Sequence, residues 1–238
     1  MNHRKHLVVL TGAGISAESG ISTFRDNNGL WDQYRVEDVA TPEGWERDPQ
    51  MVTTFYNNMR RKLQDVQPCG AHRILAALEK EYNVDIITQN VDNLHERAGS
   101  TKVLHLHGEL MKVTSCRQPN DPTQVRVLKP EEWEVKMGDK AEDGSQLRPY
   151  IVWFGEAVPN IEPAARLCET ADMLLIVGSS LVVYPAAGLV HFAKAGTPIY
   201  LVDPAEVEVP GGIAVTHIKK GATAGMEELV AKWGIEIR

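Results

Sequence analysis

The segment Gly12–Trp31 has the residue spacing best suited to binding chemistry at the backbone. It follows the apolar run Leu7–Leu10, which predicts a buried strand. A strand, a glycine turn and a helix N-terminus form a phosphate site, because free N–H groups and the positive helix end face one point. Gly12, Gly14 and Ala17 match the G-x-G-x-x-G/A pattern, which lets a pyrophosphate approach the backbone closely. The bare pattern also fits a glycine-rich turn without a ligand.

The residues after the glycine turn predict a loop rather than a long helix. We expect a short helix to begin at Ser16, but Gly20 and the later asparagine and glycine residues break any longer one. Thr23, Phe24 and Arg25 then lie on a loop beside the turn, where an aromatic ring and an arginine could close over a nucleotide. Alternatively, Phe24 fills the core and Arg25 forms a surface ion pair.

Polar residues also follow two other predicted strands. The strand Val84–Thr88 ends in the polar stretch Gln89–Asn93, whose amides and carboxylate could hold a ribose or a water. That stretch alone would equally fit a turn that caps the next helix. In the predicted strand Val103–Gly108, His105 and His107 alternate with leucines and share one face. A histidine at such a strand end is well placed as a general base near neutral pH, so we expect one of the two to be functional.

Apolar runs alternate with helical patterns along the chain, which predicts an α/β fold with a Rossmann-like, doubly wound parallel sheet. The further predicted strands are 150–156, 173–177, 198–202 and 215–218, and the predicted helices are 49–66, 68–82, 185–195 and 226–233. Polar residues follow the strands at Gly12, Gln89, His107, Ser179 and Asp203. Because the carboxyl ends of parallel strands meet at one rim, this convergence predicts a ligand site.

The predicted sheet divides the chain into a larger domain and a smaller lobe. We expect residues 1–31, 69–108 and 150–238 to form the Rossmann-like domain. The smaller lobe would be built from two insertions, a helical one at 32–68 and a less regular one at 109–149.

The composition and charge of the chain limit the classes of partner that it could bind. The chain of 238 residues has a net charge of −7, so it lacks the broad basic field of a general nucleic-acid binder. Its three cysteines are far apart and indicate no disulfide framework. No apolar run reaches membrane-spanning length, and the run after the basic N-terminus is too short for a signal peptide. We therefore expect a cytoplasmic protein that binds neither membrane nor nucleic acid. We also expect it to be a monomer, although none of these features bears on the oligomeric state.

Several ordered motifs together resemble the sirtuins, the NAD-dependent protein-lysine deacylases. They are Gly12-Ala13-Gly14-Ile15-Ser16, Thr23-Phe24-Arg25, Thr88-Gln89-Asn90-Val91-Asp92, His107-Gly108-Glu109 and Val152-Trp153-Phe154-Gly155-Glu156. The likeness runs nearly end to end. It is closest to the bacterial deacylases, which share Phe55-Tyr56-Asn57 and Val183-Tyr184-Pro185-Ala186-Ala187.

The resemblance implies an NAD site and a catalytic centre. The residues that would bind NAD are Gly12, Ala13, Gly14, Ser16, Thr23, Phe24, Arg25, Trp31, Gln89, Asn90, Asp92, Gly178, Ser179, Ser180, Asp203 and Ala222. Asn90, Asp92 and His107 would be catalytic: the acyl-lysine oxygen attacks the ribose carbon as nicotinamide leaves, and His107 acts as general base on a ribose hydroxyl. The products would be free lysine, nicotinamide and O-acyl-ADP-ribose, with Phe24 shielding the reaction from water. Many relatives have asparagine where this chain has Asp203.

The resemblance also implies a surface for acyl-lysine proteins or peptides. Val152, Trp153, Phe154, Gly155, Glu156 and Val182 would pair with the substrate as an added strand, and Tyr56 and Met59 would line the acyl pocket. Desuccinylating members carry a tyrosine and, three residues later, an arginine. Met59 occupies that arginine position, and Arg60 would point about 100° away on a helix. We therefore expect a preference for neutral acyl groups, acetyl above all.

This chain departs from the sirtuin pattern in its cysteines. Sirtuins carry two cysteine pairs that bind a structural zinc, but only Cys116 lies in the corresponding region here. We expect no metal, and a small lobe held by apolar packing of residues such as Val125, Val127, Leu128 and Trp133.

Three other functions remain compatible with parts of the sequence. The same NAD pocket could serve protein mono-ADP-ribosyl transfer or a non-catalytic NAD or ADP-ribose sensor, although a sensor has little need of a base. A metallohydrolase using His95, His105 and His107 would depend on metal rather than NAD.

Overall fold

The computed structural model describes residues 4–21 and 34–236. Within these residues the main sheet has six parallel strands, which are β1 (His6–Thr11), β2 (Asn83–Thr88), β3 (Val103–His105), β7 (Met173–Val177), β8 (Ile199–Val202) and β9 (Thr216–Ile218). They lie in the order β3-β2-β1-β7-β8-β9. The predicted Rossmann-like sheet is therefore confirmed, with β1 at its centre.

Helices cover both faces of this sheet, which explains the unbroken apolar run in β1. Leu7 and Val9 pack on one face, with α5 (Gly70–Leu78) and α8 (Ala222–Lys232), and Val8 and Leu10 pack on the other, with α7 (Ile161–Thr170). The helices are α1 (Ala13–Ala17), α2 (Val36–Val39), α3 (Pro42–Arg47), α4 (Pro49–Asp65), α5 (Gly70–Leu78), α6 (Leu94–Ala98), α7 (Ile161–Thr170) and α8 (Ala222–Lys232). Short 3₁₀ turns lie at Pro122–Gln124, Pro130–Glu132, Ala186–Phe192 and Pro210–Gly212.

A second, antiparallel sheet makes the smaller lobe, in the order β5-β4-β6. Its strands are β4 (Gly108–Ser115), β5 (Arg126–Val127) and β6 (Leu147–Ile151). The region predicted to be less regular, 109–149, contains most of the long strand β4, whose mixed polar and apolar residues gave no clear periodic pattern in the sequence. Among the four residues expected to pack this lobe, Leu128 is buried beside Val113, but Val127 is 65% exposed.

Two predicted strands end earlier than expected. The predicted strand Val103–Gly108 ends at His105, and β4 begins at Gly108, where φ is +85° and a Cβ would lie 2.1 Å from the Tyr150 carbonyl oxygen. The strand predicted over 150–156 ends at Ile151. In addition, α1 begins at Ala13 rather than Ser16, and a 3₁₀ turn replaces the helix predicted over 185–195.

Within the described residues, no helix is both long and apolar enough to cross a membrane.

Candidate active site

The glycine turn between β1 and α1 packs directly on the end of β7. The Gly14 N–H donates to the Gly178 carbonyl at 2.9 Å. A Cβ on Gly12 would lie 2.7 Å from that carbonyl oxygen, and a Cβ on Gly14 would lie 2.7 Å from the Gly178 Cα. Gly178 itself has a φ of +62°. Backbone thus crosses backbone with no room for side chains, the close approach that the dinucleotide-binding pattern requires.

The polar stretch after β2 closes onto this turn. Gln89 Nε2 donates to Ser179 Oγ at 2.9 Å, which links the ends of β2 and β7. The buried Asn90 amide donates to the Gly12 carbonyl and to Ser16 Oγ, both at 3.0 Å. The sequence-predicted residues of three strand ends therefore meet at one place.

Asp92 completes this cluster. Its Oδ2 accepts a 2.9 Å hydrogen bond from the Ser16 hydroxyl, and its Oδ1 accepts the Leu94 N–H at 3.0 Å. Burial raises the pKa of the Asp92 carboxyl, although both hydrogen bonds oppose that shift. The site therefore contains a buried acidic group that accepts two hydrogen bonds from the chain.

His107 follows β3 and stands beside the same stretch. Its Nδ1 lies 3.0 Å from the Gln89 carbonyl oxygen, which can only accept, so Nδ1 carries a proton, and in the neutral ring Nε2 then carries the lone pair. Burial lowers the pKa of His107, and the bond to Gln89 only partly opposes this. The ring is thus neutral near pH 7 and presents an unprotonated nitrogen, as a general base must.

His105 contacts the neighbouring carbonyl. Its Nδ1 lies 3.0 Å from the Asn90 carbonyl oxygen, and its Nε2 lies 2.8 Å from Glu96 Oε1 on α6. The ring is buried. The two histidines therefore hold two consecutive carbonyl groups of the same stretch.

The sequence did not indicate the hydroxyl groups that hold the backbone N–H of Asn90 in place. Its N–H donates to Thr88 Oγ1 at 3.0 Å, and that oxygen also accepts the Thr11 hydroxyl at 2.8 Å. Thr11 Oγ1 in turn lies 2.9 Å from Nε2 of the buried His95. These threonines read as ordinary strand residues in sequence, so no local pattern could have identified them.

A metal site built from the histidines has no support. His95, His105 and His107 each direct ring nitrogens at protein oxygens. Across residues 4–21 and 34–236, no three His, Cys, Asp or Glu side chains are grouped so that they could hold a metal ion.

The adenosine-side candidates lie along the ends of β7 and β8. Ser179 is buried and Ser180 is half-buried. Asp203 Oδ1 accepts the Ala205 N–H at 2.9 Å, and Ala222 is buried at the start of α8. An unforeseen contact joins α8 to α1, since the Glu18 carboxylate accepts the Thr223 N–H at 3.1 Å.

Several residues expected to contact the substrate form hydrogen bonds within the chain. Trp153 and Tyr56 are buried, and the indole N–H donates to the Tyr56 hydroxyl at 3.0 Å. Burial raises the pKa of Tyr56 far above its usual value. The Arg148 guanidinium lies 3.5 Å above the Trp153 ring and forms a 2.7 Å ion pair with Glu156. The Trp153 indole N–H, the Tyr56 hydroxyl and the Glu156 carboxylate are thus all paired within the chain, and the first of these bonds joins α4 to the segment after β6.

The backbone of this segment is also engaged. The N–H groups of Val152, Trp153, Phe154 and Glu156 donate within the chain. An added peptide strand here would have to donate to carbonyl groups instead. Phe154, Gly155 and Val182 are exposed, and Val152 and Met59 are half-buried.

The loop candidates Thr23, Phe24, Arg25 and Trp31 lie outside the described residues.

The sheet order, the glycine crossing and the polar rim define a nucleotide-binding α/β protein of the Rossmann-like class. The family model described as "Sir2 family" matches residues 12–185. An NAD-dependent protein deacylase of Bacteroides thetaiotaomicron is 61% identical over 225 residues, covering 94% of this chain and 96% of that protein. One from Helicobacter pylori is 50% identical over 228 residues, covering 96% and 97%.

Solved structures agree with this match. A mutant Sir2 homologue in complex with ADP-ribose superposes with a TM-score of 0.85 at 39% identity, covering 99% of this chain and 96% of that one. Sir2 bound to acetylated peptide superposes with a TM-score of 0.79 at 30% identity, with the same coverage. The chain belongs to the Sir2 family.

Proposed function

We propose that this chain uses NAD to remove acyl groups from protein lysines, with His107 as the general base. The observation that carries the proposal is the orientation of His107. Its Nδ1 is held by the Gln89 carbonyl, so the unprotonated Nε2 remains for the reaction. The deacylase names of relatives at 50% and 61% identity support the same activity.

The residues of the site fit NAD. The glycine crossing at Gly12, Gly14 and Gly178 leaves a surface made of backbone, as a pyrophosphate needs. Ser16, Asn90 and Asp92 form a hydrogen-bonded cluster beside it that would hold the nicotinamide and its ribose. NAD would supply an electrophilic ribose carbon, nicotinamide as leaving group and a hydroxyl that accepts the acyl group.

The residues of this chain would then position the reacting groups and transfer protons. Asn90 is tethered through its backbone N–H, its backbone carbonyl and its side-chain amide, so its position is fixed before substrate binds. His107 Nε2 would take the proton of the ribose hydroxyl, and the products would be lysine, nicotinamide and O-acyl-ADP-ribose. Because the ring is neutral, no proton must first be lost.

The decisive experiment is nicotinamide release from NAD with and without an acetyl-lysine peptide. We expect peptide-dependent release, lost in His107→Ala and retained in the matched control His191→Ala, an exposed histidine. Peptide-independent transfer of label from NAD to protein would instead indicate ADP-ribosyl transfer. NAD binding without release under any condition would indicate a sensor.

We also propose a preference for neutral acyl groups. Arg60, which directly follows Met59 in the sequence, is fully buried. Its Nε donates to the Leu110 carbonyl at 2.7 Å and its Nη1 donates to Asn57 Oδ1 at 2.9 Å, while Nη2 has no hydrogen-bond partner among the described residues. Because the whole side chain is buried, the guanidinium presents no atom at the surface to an acyl carboxylate. Acetyl peptides should react faster than matched succinyl peptides, and Met59→Arg should narrow the difference. Faster removal of succinyl by the unmodified protein would contradict this.

The remaining proposals concern the oligomeric state, the zinc content and the cellular location of the protein. We propose a cytoplasmic monomer without structural zinc, in which Cys116 is free and half-buried. Elemental analysis that found one zinc per chain, or a dimer by light scattering, would contradict these points.

A further inference from the structure

His105 is placed between two acceptors. Its Nδ1 faces the Asn90 carbonyl oxygen at 3.0 Å, and its Nε2 faces Glu96 Oε1 at 2.8 Å. Neither the carbonyl nor an ionised carboxylate can donate a proton. A neutral imidazole has one N–H, so it can satisfy only one of these partners. Only the imidazolium donates to both at once.

We infer that His105 is a doubly protonated positioning residue, which uses Glu96 as its counter-ion and holds the Asn90 carbonyl in place for the reaction. His105 itself touches neither substrate nor reacting atoms in this assignment. It acts through Asn90, whose amide reaches Gly12 and Ser16 at the other side of the site. This inference rests on the proposed function.

The neighbouring histidine shows why the two rings differ. His107 has one acceptor, the Gln89 carbonyl, on Nδ1, and the described residues give its Nε2 no hydrogen bond. His107 therefore stays neutral and serves as a base, while His105 is charged and serves as a clamp. Their roles differ because Glu96 on α6 reaches one ring and not the other.

The charges around His105 support its protonation. Burial by itself would lower its pKa, but the hydrogen bond and charge of Glu96 and the charge of Glu109 outweigh burial and raise the pKa above 6.5. His105 also interacts electrostatically with His95 and Asp92. The charge of Lys112 contributes to lowering the pKa of Glu96. The small cavity beside the ring is further lined by the Arg148–Glu156 ion pair.

Loss of one proton from His105 would break its hydrogen bond to the Asn90 carbonyl rather than the one to the Glu96 carboxylate. The remaining proton would stay on Nε2, because a hydrogen bond to a charged group is the stronger one. Asn90 would then lose one of its tethers. The clamp is therefore complete below the pKa of His105 and is lost as pH rises through it.

The first test measures protonation directly, by NMR of protein labelled with ¹⁵N-histidine. The His105 signals are assigned by their loss in His105→Gln. At pH 7 we expect both His105 nitrogens to be protonated and His107 to be protonated at Nδ1 only. A singly protonated His105 at pH 7 overturns the inference. Because this readout needs no activity, it separates failure of the inference from failure of the proposed function.

The second test links that proton to turnover. The alkaline fall of kcat should follow the His105 midpoint measured by NMR. Glu96→Gln removes the counter-ion, so His105 should become neutral and the fall should no longer follow the wild-type midpoint. Glu162→Gln, an exposed glutamate on α7, is the matched control and should leave the profile in place. An identical pH profile in Glu96→Gln would overturn the inference.

The third test removes the donor. His105→Phe should lower kcat about tenfold to a hundredfold, since a buried carbonyl loses a charged donor. The effect should fall on kcat more than on the KM for acyl peptide. His105→Gln can still donate to the Asn90 carbonyl and should recover part of kcat. A loss equal in both variants would indicate a merely structural ring.

Discussion

Replacing Gly14 by alanine should damage NAD binding through sterics alone. A Cβ there would lie 2.7 Å from the Gly178 Cα and 2.9 Å from its carbonyl oxygen. Ordinary contacts begin near 3.4 Å, so the two backbone segments must separate by about 0.7 Å (3.4 − 2.7). Both contacts are backbone, and no side chain can rotate away to relieve them.

The expected effects on stability and on binding differ in size. Alanine favours a helix over glycine by about 0.5–1 kcal/mol, whereas overpacking costs about 1–3 kcal/mol, so net destabilisation should stay within about 2.5 kcal/mol. A displacement of this size beside the reaction centre can cost up to about a hundredfold in rate, so we expect kcat/KM for NAD to fall between tenfold and a hundredfold.

The assay measures KM and kcat for NAD together with the melting temperature. Gly188→Ala is the matched control, because the nearest atom to its new Cβ lies 3.8 Å away. A Gly14→Ala protein that used NAD within about twofold of wild type would show that the glycine crossing does not shape the site.

Three further predictions concern pH, the buried ion pair and the tyrosine. Because burial lowers the pKa of His107, its neutral form persists below pH 6.5, and kcat/KM should fall only as pH drops through that lowered pKa; a fall centred at or above 6.5 would contradict this. Arg148→Met strands the Glu156 carboxylate and should cost about 3–5 kcal/mol in urea unfolding, whereas replacing an exposed pair should cost under about 1. Tyr56→Phe leaves the Trp153 indole N–H unpaired and should lower the free energy of unfolding by about 1–3 kcal/mol, with little change in the KM for acetyl peptide. A large change in KM would indicate that Tyr56 contacts the substrate.

Patterns between near neighbours in sequence predicted the main sheet well. The unbroken apolar run of β1 required a strand covered on both faces, and the structure has it at the centre of the sheet. The polar residues at Gln89 and Ser179 had to meet if the strands were parallel, and their side chains lie 2.9 Å apart. Periodicity and turn chemistry suffice for such features, because each depends on a few consecutive residues.

The tertiary structure alone decided which partners each polar side chain has. The helical pattern directed Arg60 away from the Met59 position without showing what it contacts, and the structure buries it against the Leu110 carbonyl, fifty positions along the chain. His105 and His107 read as an equivalent pair, and only the arrival of Glu96 at one ring distinguishes the clamp from the base. The physical reason is the same in both cases. A residue's type and spacing set what it can donate, accept or bury, but its partners come from distant segments that only the packed chain brings together.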